Sequence, residues 1–317
     1  MYKLINFLPR LLLLVGLMAS QSLSAAEASF QPTSTGWLID DNHPVVAVDL
    51  QLTGENNLQL KTVNALLEIQ LEGDWKTYWR SPGDGGIAPK FDFSGSENIK
   101  NVTWSWPAPK RHNVLGIDTL GYKGNVNFPL TLEIVDPTQP VLLKGTLTLA
   151  TCTNICVLSH YQIELPFAVD ALRIDPRISL SYREALANVP IKLDKHTVQA
   201  PIHVASTHWN NQHQTLTIEL DKKSPWYHPD IFVDSSAFDL TGYSFSAPVT
   251  RIENHKLIAQ IKVTSWDGDI NLNGKSLQLT VIDKDLSVEL PAIAGGGSST
   301  GTLWSMFLIA LIGGLIL

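Results

Sequence analysis

Apolar and polar residues alternate along most of this chain. Thr215-Leu216-Thr217-Ile218-Glu219-Leu220 and Leu257-Ile258-Ala259-Gln260-Ile261-Lys262-Val263 place apolar side chains at every second position, the pattern of strands with one buried face. Val45 to Leu52, Val63 to Leu71, Val126 to Val135, Val141 to Ala150, Val157 to Val169 and Leu277 to Ile282 read the same way, with Gly, Pro, Asn and Asp clusters between them. Many short strands separated by turn signals predict β-sandwiches. Gly83-Asp84-Gly85-Gly86 reads as a turn, because no helical pattern follows to make it a phosphate cradle.

One stretch changes period. Ile178, Tyr182, Ala185, Leu186 and Val189 recur at helical spacing behind the starter Asp175-Pro176. The expected architecture is therefore all-β, with a sandwich over 28–175, a helical connector over 176–200 and a second sandwich over 201–291. Pro190 to Pro201 supplies the boundary.

The two ends are hydrophobic for different reasons. Lys3 and Arg10 precede the apolar run Leu11 to Met18, and Ser24-Ala25-Ala26 offers a small-residue exit, so 1–26 reads as a secretory signal peptide. Residues 292–302 read as a Gly/Ser-rich linker. The 303–317 stretch is apolar but shorter than the roughly 20 residues a membrane-spanning helix needs, and it reads as the start of a transmembrane helix cut off part-way. Export places the chain where disulfides persist.

Composition narrows the function classes. The net charge is −7, with 17% charged residues, and no basic block exists to track a nucleic-acid backbone. No Ser/His/Asp order or paired-carboxylate motif stands out. His203, His208 and His213 change strand parity from one to the next and are expected on the surface rather than lining one face. Trp226 and Tyr227 beside Pro225 are either a partner contact or core and rim packing.

The chain has only two cysteines, together in Thr151-Cys152-Thr153-Asn154-Ile155-Cys156-Val157. A strand leads in and another leads out, so the cysteines flank a three-residue hairpin loop. Residues facing each other there have Cα atoms about 4.5–5.5 Å apart, inside the disulfide window of about 4.4–6.8 Å. A loop this short returns only about 2 kcal/mol as a staple, against about 4.7 kcal/mol for a loop of about 100 residues, which favours a working redox couple. Two alternatives stay open: a local staple in a binding module, and a copper or zinc site using Cys152, Cys156 and His160. Against metal, His160 would lie roughly 13 Å along the strand from Cys156. No Lys, Arg or Asp within a few residues of either cysteine tunes a thiolate.

Trp75-Lys76-Thr77-Tyr78-Trp79-Arg80-Ser81-Pro82-Gly83-Asp84-Gly85-Gly86, Trp106-Pro107-Ala108-Pro109, Gly121-Tyr122-Lys123-Gly124 and the C-x₃-C strand pair resemble the amino-terminal periplasmic region of the DsbD/ScsB transmembrane thiol-disulfide reductases. The likeness is greater to the ScsB, or suppressor-of-copper-sensitivity, branch. The resemblance implies immunoglobulin-like domains and a protein-disulfide reductase with Cys152 and Cys156 as catalytic pair, Cys156 favoured for the mixed disulfide. It implies no cofactor and no resident metal. The implied partners are periplasmic thioredoxin-fold proteins, such as disulfide isomerases and cytochrome c maturation or copper-tolerance proteins, together with the family's own membrane and thioredoxin-like domains. The implied location is the periplasmic face of the inner membrane, with anchoring through the carboxy-terminal helix. DsbD-type domains shield the pair with a cap loop, for which Leu115 to Tyr122 is the candidate. The competing function is an exported copper-binding β-sandwich protein.

Overall fold

The computed structural model describes residues 33–114, 116–194, 200–237, 240, 242–253, 255–265, 268 and 270–295. The expected signal peptide and membrane-helix start lie outside them. Among the described residues, no helix is long and apolar enough to cross a membrane.

The protein is mostly β, with one short helix between two β regions. The strands ahead of the helix are β1 (Leu38–Ile39), β2 (Val46–Asn57), β3 (Thr62–Leu71), β4 (Lys76–Gly83), β5 (Lys90–Asp92), β6 (Ile99–Trp104), β7 (Lys110–Val114), β8 (Ile117–Lys123), β9 (Val126–Ile134), β10 (Val141–Cys152) and β11 (Cys156–Phe167). They form a sheet of order β1-β2-β3-β9-β6 and another of order β11-β10-β4-β8-β7, with β5 on β10. Alternation explains the layering. Val48, Leu50, Leu67, Ile69 and Phe128 from the first sheet share one core with Leu147, Leu149, Tyr161 and Ile163 from the second. Each such side chain, fully withdrawn from water, stabilises the fold by about 1.5–3 kcal/mol.

The helix α1 (Pro176–Ala187) starts as its sequence predicts: the Asp175 carboxylate accepts from the backbone N–H groups of Arg177 and Ile178, and proline stands in the first turn. It covers the outer face of β3, where Leu66 breaks the otherwise polar outward set Asn64, Glu68, Gln70 and packs against Tyr182 and Ala185. Ser179 is buried on this face, whereas Leu186 is exposed and Val189 lies past the helix end. The helical stripe is thus narrower than its spacing predicts.

After the helix come β12 (Ile191–Lys192), β13 (Ile202–Asn210), β14 (Thr215–Lys222), β15 (Asp230–Val233), β16 (Tyr243–Phe245), β17 (Val249–Glu253), β18 (Lys256–Ser265), β19 (Ser276–Asp283) and β20 (Leu286–Ile293). They make sheets of order β12-β20-β19-β15 and β13-β14-β18-β16, with β17 on β18, around a core that includes Leu216, Ile218, Ile261, Leu279 and Val288. Strand β20 runs through Ile293 and Ala294 is buried, so the first residues read as linker belong to the sheet. In β13 a bulge between Val204 and Ser206 resets the strand's parity. His203 and His208 consequently both emerge on the exposed side, which corrects the expectation that they cannot share a face.

Candidate functional site at the tip of the cysteine hairpin

Strands β10 and β11 pair without interruption from Val141↔Phe167 to Cys152↔Cys156. The ladder ends on the cysteines, and Thr153-Asn154-Ile155 closes the turn, with the Thr153 N–H donating to the Ile155 carbonyl at 2.9 Å. The two sulfurs form a disulfide with Cα atoms 4.2 Å apart, slightly closer than the spacing predicted from a regular hairpin.

The two halves of the bond differ in their surroundings. Cys152 is 1% exposed, packed with Tyr78 and Ala150. Cys156 is exposed at the turn, next to the exposed apolar side chains Ile155 and Leu158. An incoming thiolate therefore meets one sulfur and not the other.

Strand β4 supplies the wall behind Cys152. Its Tyr78 hydroxyl donates to Cys152 Sγ at 2.8 Å and stands 3.9 Å from Cys156 Sγ. Burial pushes the phenol's pKa up, so it remains a protonated donor at neutral pH. Lys76 is the ladder partner of Cys152. Directly paired residues share a face of the sheet, so the Lys76 side chain leaves β4 on the same face as the buried sulfur. On the opposite face, Thr77 Oγ1 donates to the Ala150 carbonyl at 3.0 Å, and Thr151 Oγ1 meets the buried His43 Nε2 at 2.8 Å. Burial holds the His43 pKa below its ordinary value, with Asp40 opposing. His43 stacks edge-on to Trp75 at 4.3 Å.

Most of the candidate cap segment is strand. Residues 117–122 lie in β8: Ile117 to Gly121 pair with β7, and Thr119, Gly121 and Tyr122 pair with β4, while Leu115 lies outside the described residues. The chain that passes over the Tyr78 ring is the turn after β4: a Cβ added at Gly86 would come within 2.5 Å of Pro82 and 2.7 Å of the Tyr78 ring. A metal site also finds no support. The sulfurs are bonded to each other, His160 Nδ1 pairs with Thr148 Oγ1 at 3.0 Å, and among the described residues no group of three His, Cys, Asp or Glu could hold a metal ion.

Residues 47–168 match the family model described as thiol:disulfide interchange protein DsbD, N-terminal. The first β region belongs to the DsbD amino-terminal family. The DsbD-type region ends just before the helix, and residues 176–297 match a second model, described as a domain of unknown function (DUF8393). The chain is also similar to the crystal structure of the N-terminal periplasmic domain of ScsB from Proteus mirabilis, with 29% identity, a TM-score of 0.69, and coverage of 84% of this chain and 99% of that one. Curated protein sequences offer no significant match.

In the DsbD-type region the C-x₃-C pair was visible in the sequence, but Tyr78, Lys76 and His43 were not. Tyr78 is 74 residues from Cys152, and only the pairing of β4 with β10 brings them together. The one available signal was the aromatic-rich Trp75-Lys76-Thr77-Tyr78-Trp79 run itself.

Among the described residues, the polar contacts of the two sulfurs come from Tyr78 of the first region and none from the second. Trp226 belongs to its core and donates from Nε1 to the His255 carbonyl at 2.8 Å, while Tyr227 stays exposed.

Proposed function

We propose that this chain is a thiol-disulfide exchange module of a protein-disulfide reductase, with Cys152 and Cys156 as its catalytic pair. The observation that carries this reading is the asymmetry of the disulfide: one sulfur exposed at a hairpin tip, the other buried beneath a phenol donor.

In the oxidising direction for the donor, an incoming thiolate attacks Cys156 Sγ and forms a mixed disulfide. The Cys152–Cys156 bond breaks and its electron pair leaves with Cys152 as a thiolate, which the Tyr78 hydroxyl stabilises without giving up a proton. The donor's second thiolate then attacks the donor sulfur of the mixed disulfide; Cys156 leaves as a thiolate with the electron pair of the broken bond, the oxidised donor departs, and protonation from solvent leaves a dithiol. Passing electrons onward is the reverse sequence. The Cys156 thiolate attacks a partner's disulfide, and Cys152 resolves the mixed disulfide.

Membership of the DsbD amino-terminal family and likeness to a periplasmic domain support a location on the periplasmic face of the inner membrane and partners of the thioredoxin fold. Disulfide isomerases, cytochrome c maturation proteins and copper-tolerance proteins fit that description. The two-sheet layering of each region supports reading both as immunoglobulin-like sandwiches. Exposed Ile155 and Leu158 suit docking against the apolar rim of a partner's active site.

A Cys152→Ser variant should form a stable mixed disulfide through Cys156 with a purified, oxidised thioredoxin-fold protein, visible as a reducible shift on gel electrophoresis. Absence of an adduct, with Cys156 demonstrably free, rules out the proposed role of Cys156.

A further inference from the structure

Strand β4 is not a regular strand. It pairs with β8 at Tyr78↔Gly121 and again at Gly83↔Thr119, so that Trp79, Arg80, Ser81 and Pro82 stand opposite Leu120 alone. A bulge of this size kinks the strand and re-aims its side chains. Nearly everything it re-aims is taken up by the second β region. Arg80 reaches Asp234 through Nε and Glu289 through Nη2, both at 2.5 Å, and these two carboxylate side chains are 4% and 6% exposed. Ser81 Oγ lies 2.8 Å from Ser235 Oγ and accepts from the Ser235 backbone N–H at 2.9 Å. The Trp79 ring meets Phe232 edge-on at 6.2 Å.

The bulge begins at the residue after Tyr78. Gly86, in the turn that follows the bulge, lies against both Pro82 at the bulge's far end and the ring of Tyr78, so the direction of the Tyr78 hydroxyl depends on how the bulge is held. Burial disfavours the charge on Arg80, but Asp234 and Glu289 together raise its pKa above the ordinary value, and the guanidinium remains a fixed cation between two acids. A buried ion triad of this kind contributes little net stability compared with apolar residues, yet it specifies one arrangement.

We infer that the second β region is a positioning module for the disulfide: by clamping the β4 bulge through Arg80 and Ser81, it holds the Tyr78 hydroxyl on Cys152 Sγ and so sets the rate of thiol exchange. This rests on the exchange reading given above. It makes Arg80, Ser81, Asp234, Ser235 and Glu289 positioning residues that act through Tyr78.

The test is a double-mutant cycle in the full chain. The clamp variant is Arg80→Met with Asp234→Asn and Glu289→Gln, which removes all three charges together and leaves no buried charge unpaired. Reduction of the disulfide by dithiothreitol is timed in the parent, the clamp variant, Tyr78→Phe and the combination. The clamp variant should react about tenfold more slowly, the loss expected for a hydrogen bond to a charged group. The combination should be no slower than Tyr78→Phe alone, and the pH at which Cys152 becomes reactive should rise equally in all three variants. A clamp variant that reacts at the parent rate, or slowdowns that multiply in the combination, overturns the inference. If the clamp variant does not fold by circular dichroism, Ser81→Ala with Ser235→Ala replaces it, with about threefold slowing expected and absent in the Tyr78→Phe background. A parent disulfide that reduces only on unfolding overturns the exchange reading itself, and is recognised before any variant is compared.

Discussion

Replacing Tyr78 by Phe removes one oxygen and little else. The ring stays in the same enclosure between Gly86, Ala150 and Cys152, so packing is conserved and stability should change by no more than about 1 kcal/mol. What disappears is the 2.8 Å donation to Cys152 Sγ, which matters most when that sulfur departs as a thiolate. Hydrogen bonds to charged groups contribute about 1.5–3 kcal/mol. The lower end applies here because the phenol is a neutral donor, so only the accepting sulfur carries charge. At about 1.4 kcal/mol per factor of ten, the second-order rate of reduction by dithiothreitol should fall about tenfold. Stopped-flow mixing followed by acid quench and alkylation gives that rate directly, and in the reduced protein alkylation of Cys152 should require higher pH than in the parent. A variant that reduces within about twofold of the parent, with an unchanged circular dichroism spectrum, refutes the argument that the phenol stabilises the leaving sulfur.

Other outcomes follow from the same geometry. In single-cysteine variants, Cys156 (in Cys152→Ser) should react with iodoacetamide at least about tenfold faster than Cys152 (in Cys156→Ser), because only the former is exposed; equal rates contradict the asymmetry. Gly121→Ala would push a Cβ to 2.0 Å from the Thr77 carbonyl oxygen and separate β8 from β4, costing about 2–3 kcal/mol in urea denaturation, whereas a cost below about 0.5 kcal/mol would show that the strands adjust freely. Burial lowers the His43 pKa from 6.5 in the folded state, so the unfolded chain binds the proton more readily; this contribution to stability is complete above that value and is lost as pH falls through the lower folded one. His43→Gln should therefore lose less stability than the parent between pH 7.5 and pH 5, and identical losses by urea midpoint would exclude His43 as the titrating group.

The parts legible in the sequence were those with a single buried face. Strands β2, β3, β9, β10, β11, β14, β18 and β19 alternate because one side meets a core and the other meets solvent, and the pattern survives even where helix α1 later covers Leu66. Strand β4 was not recognised, for a physical reason. Thr77, Tyr78 and Trp79 are buried consecutively, because the strand is sandwiched between the cysteine ladder, the first core and the second region, and a strand buried on every side loses its period of two. That strand carries Tyr78, Lys76 and Arg80, so the chemistry around the disulfide was hidden with it. The bulge in β13 misled the histidine reading in the same way, since a one-residue insertion reverses parity and leaves no mark in the residue types.

The central claim is that Cys152 and Cys156 form a working redox couple, and the most direct measurement is their dithiol-disulfide equilibrium in glutathione buffers, read by the mass shift on thiol alkylation. Structural disulfides typically lie below about −300 mV. The account predicts a potential above that limit, with reduction and reoxidation complete while the fold stays intact by circular dichroism. A bond that opens only when the protein unfolds would contradict it and leave the pair as a staple of the hairpin.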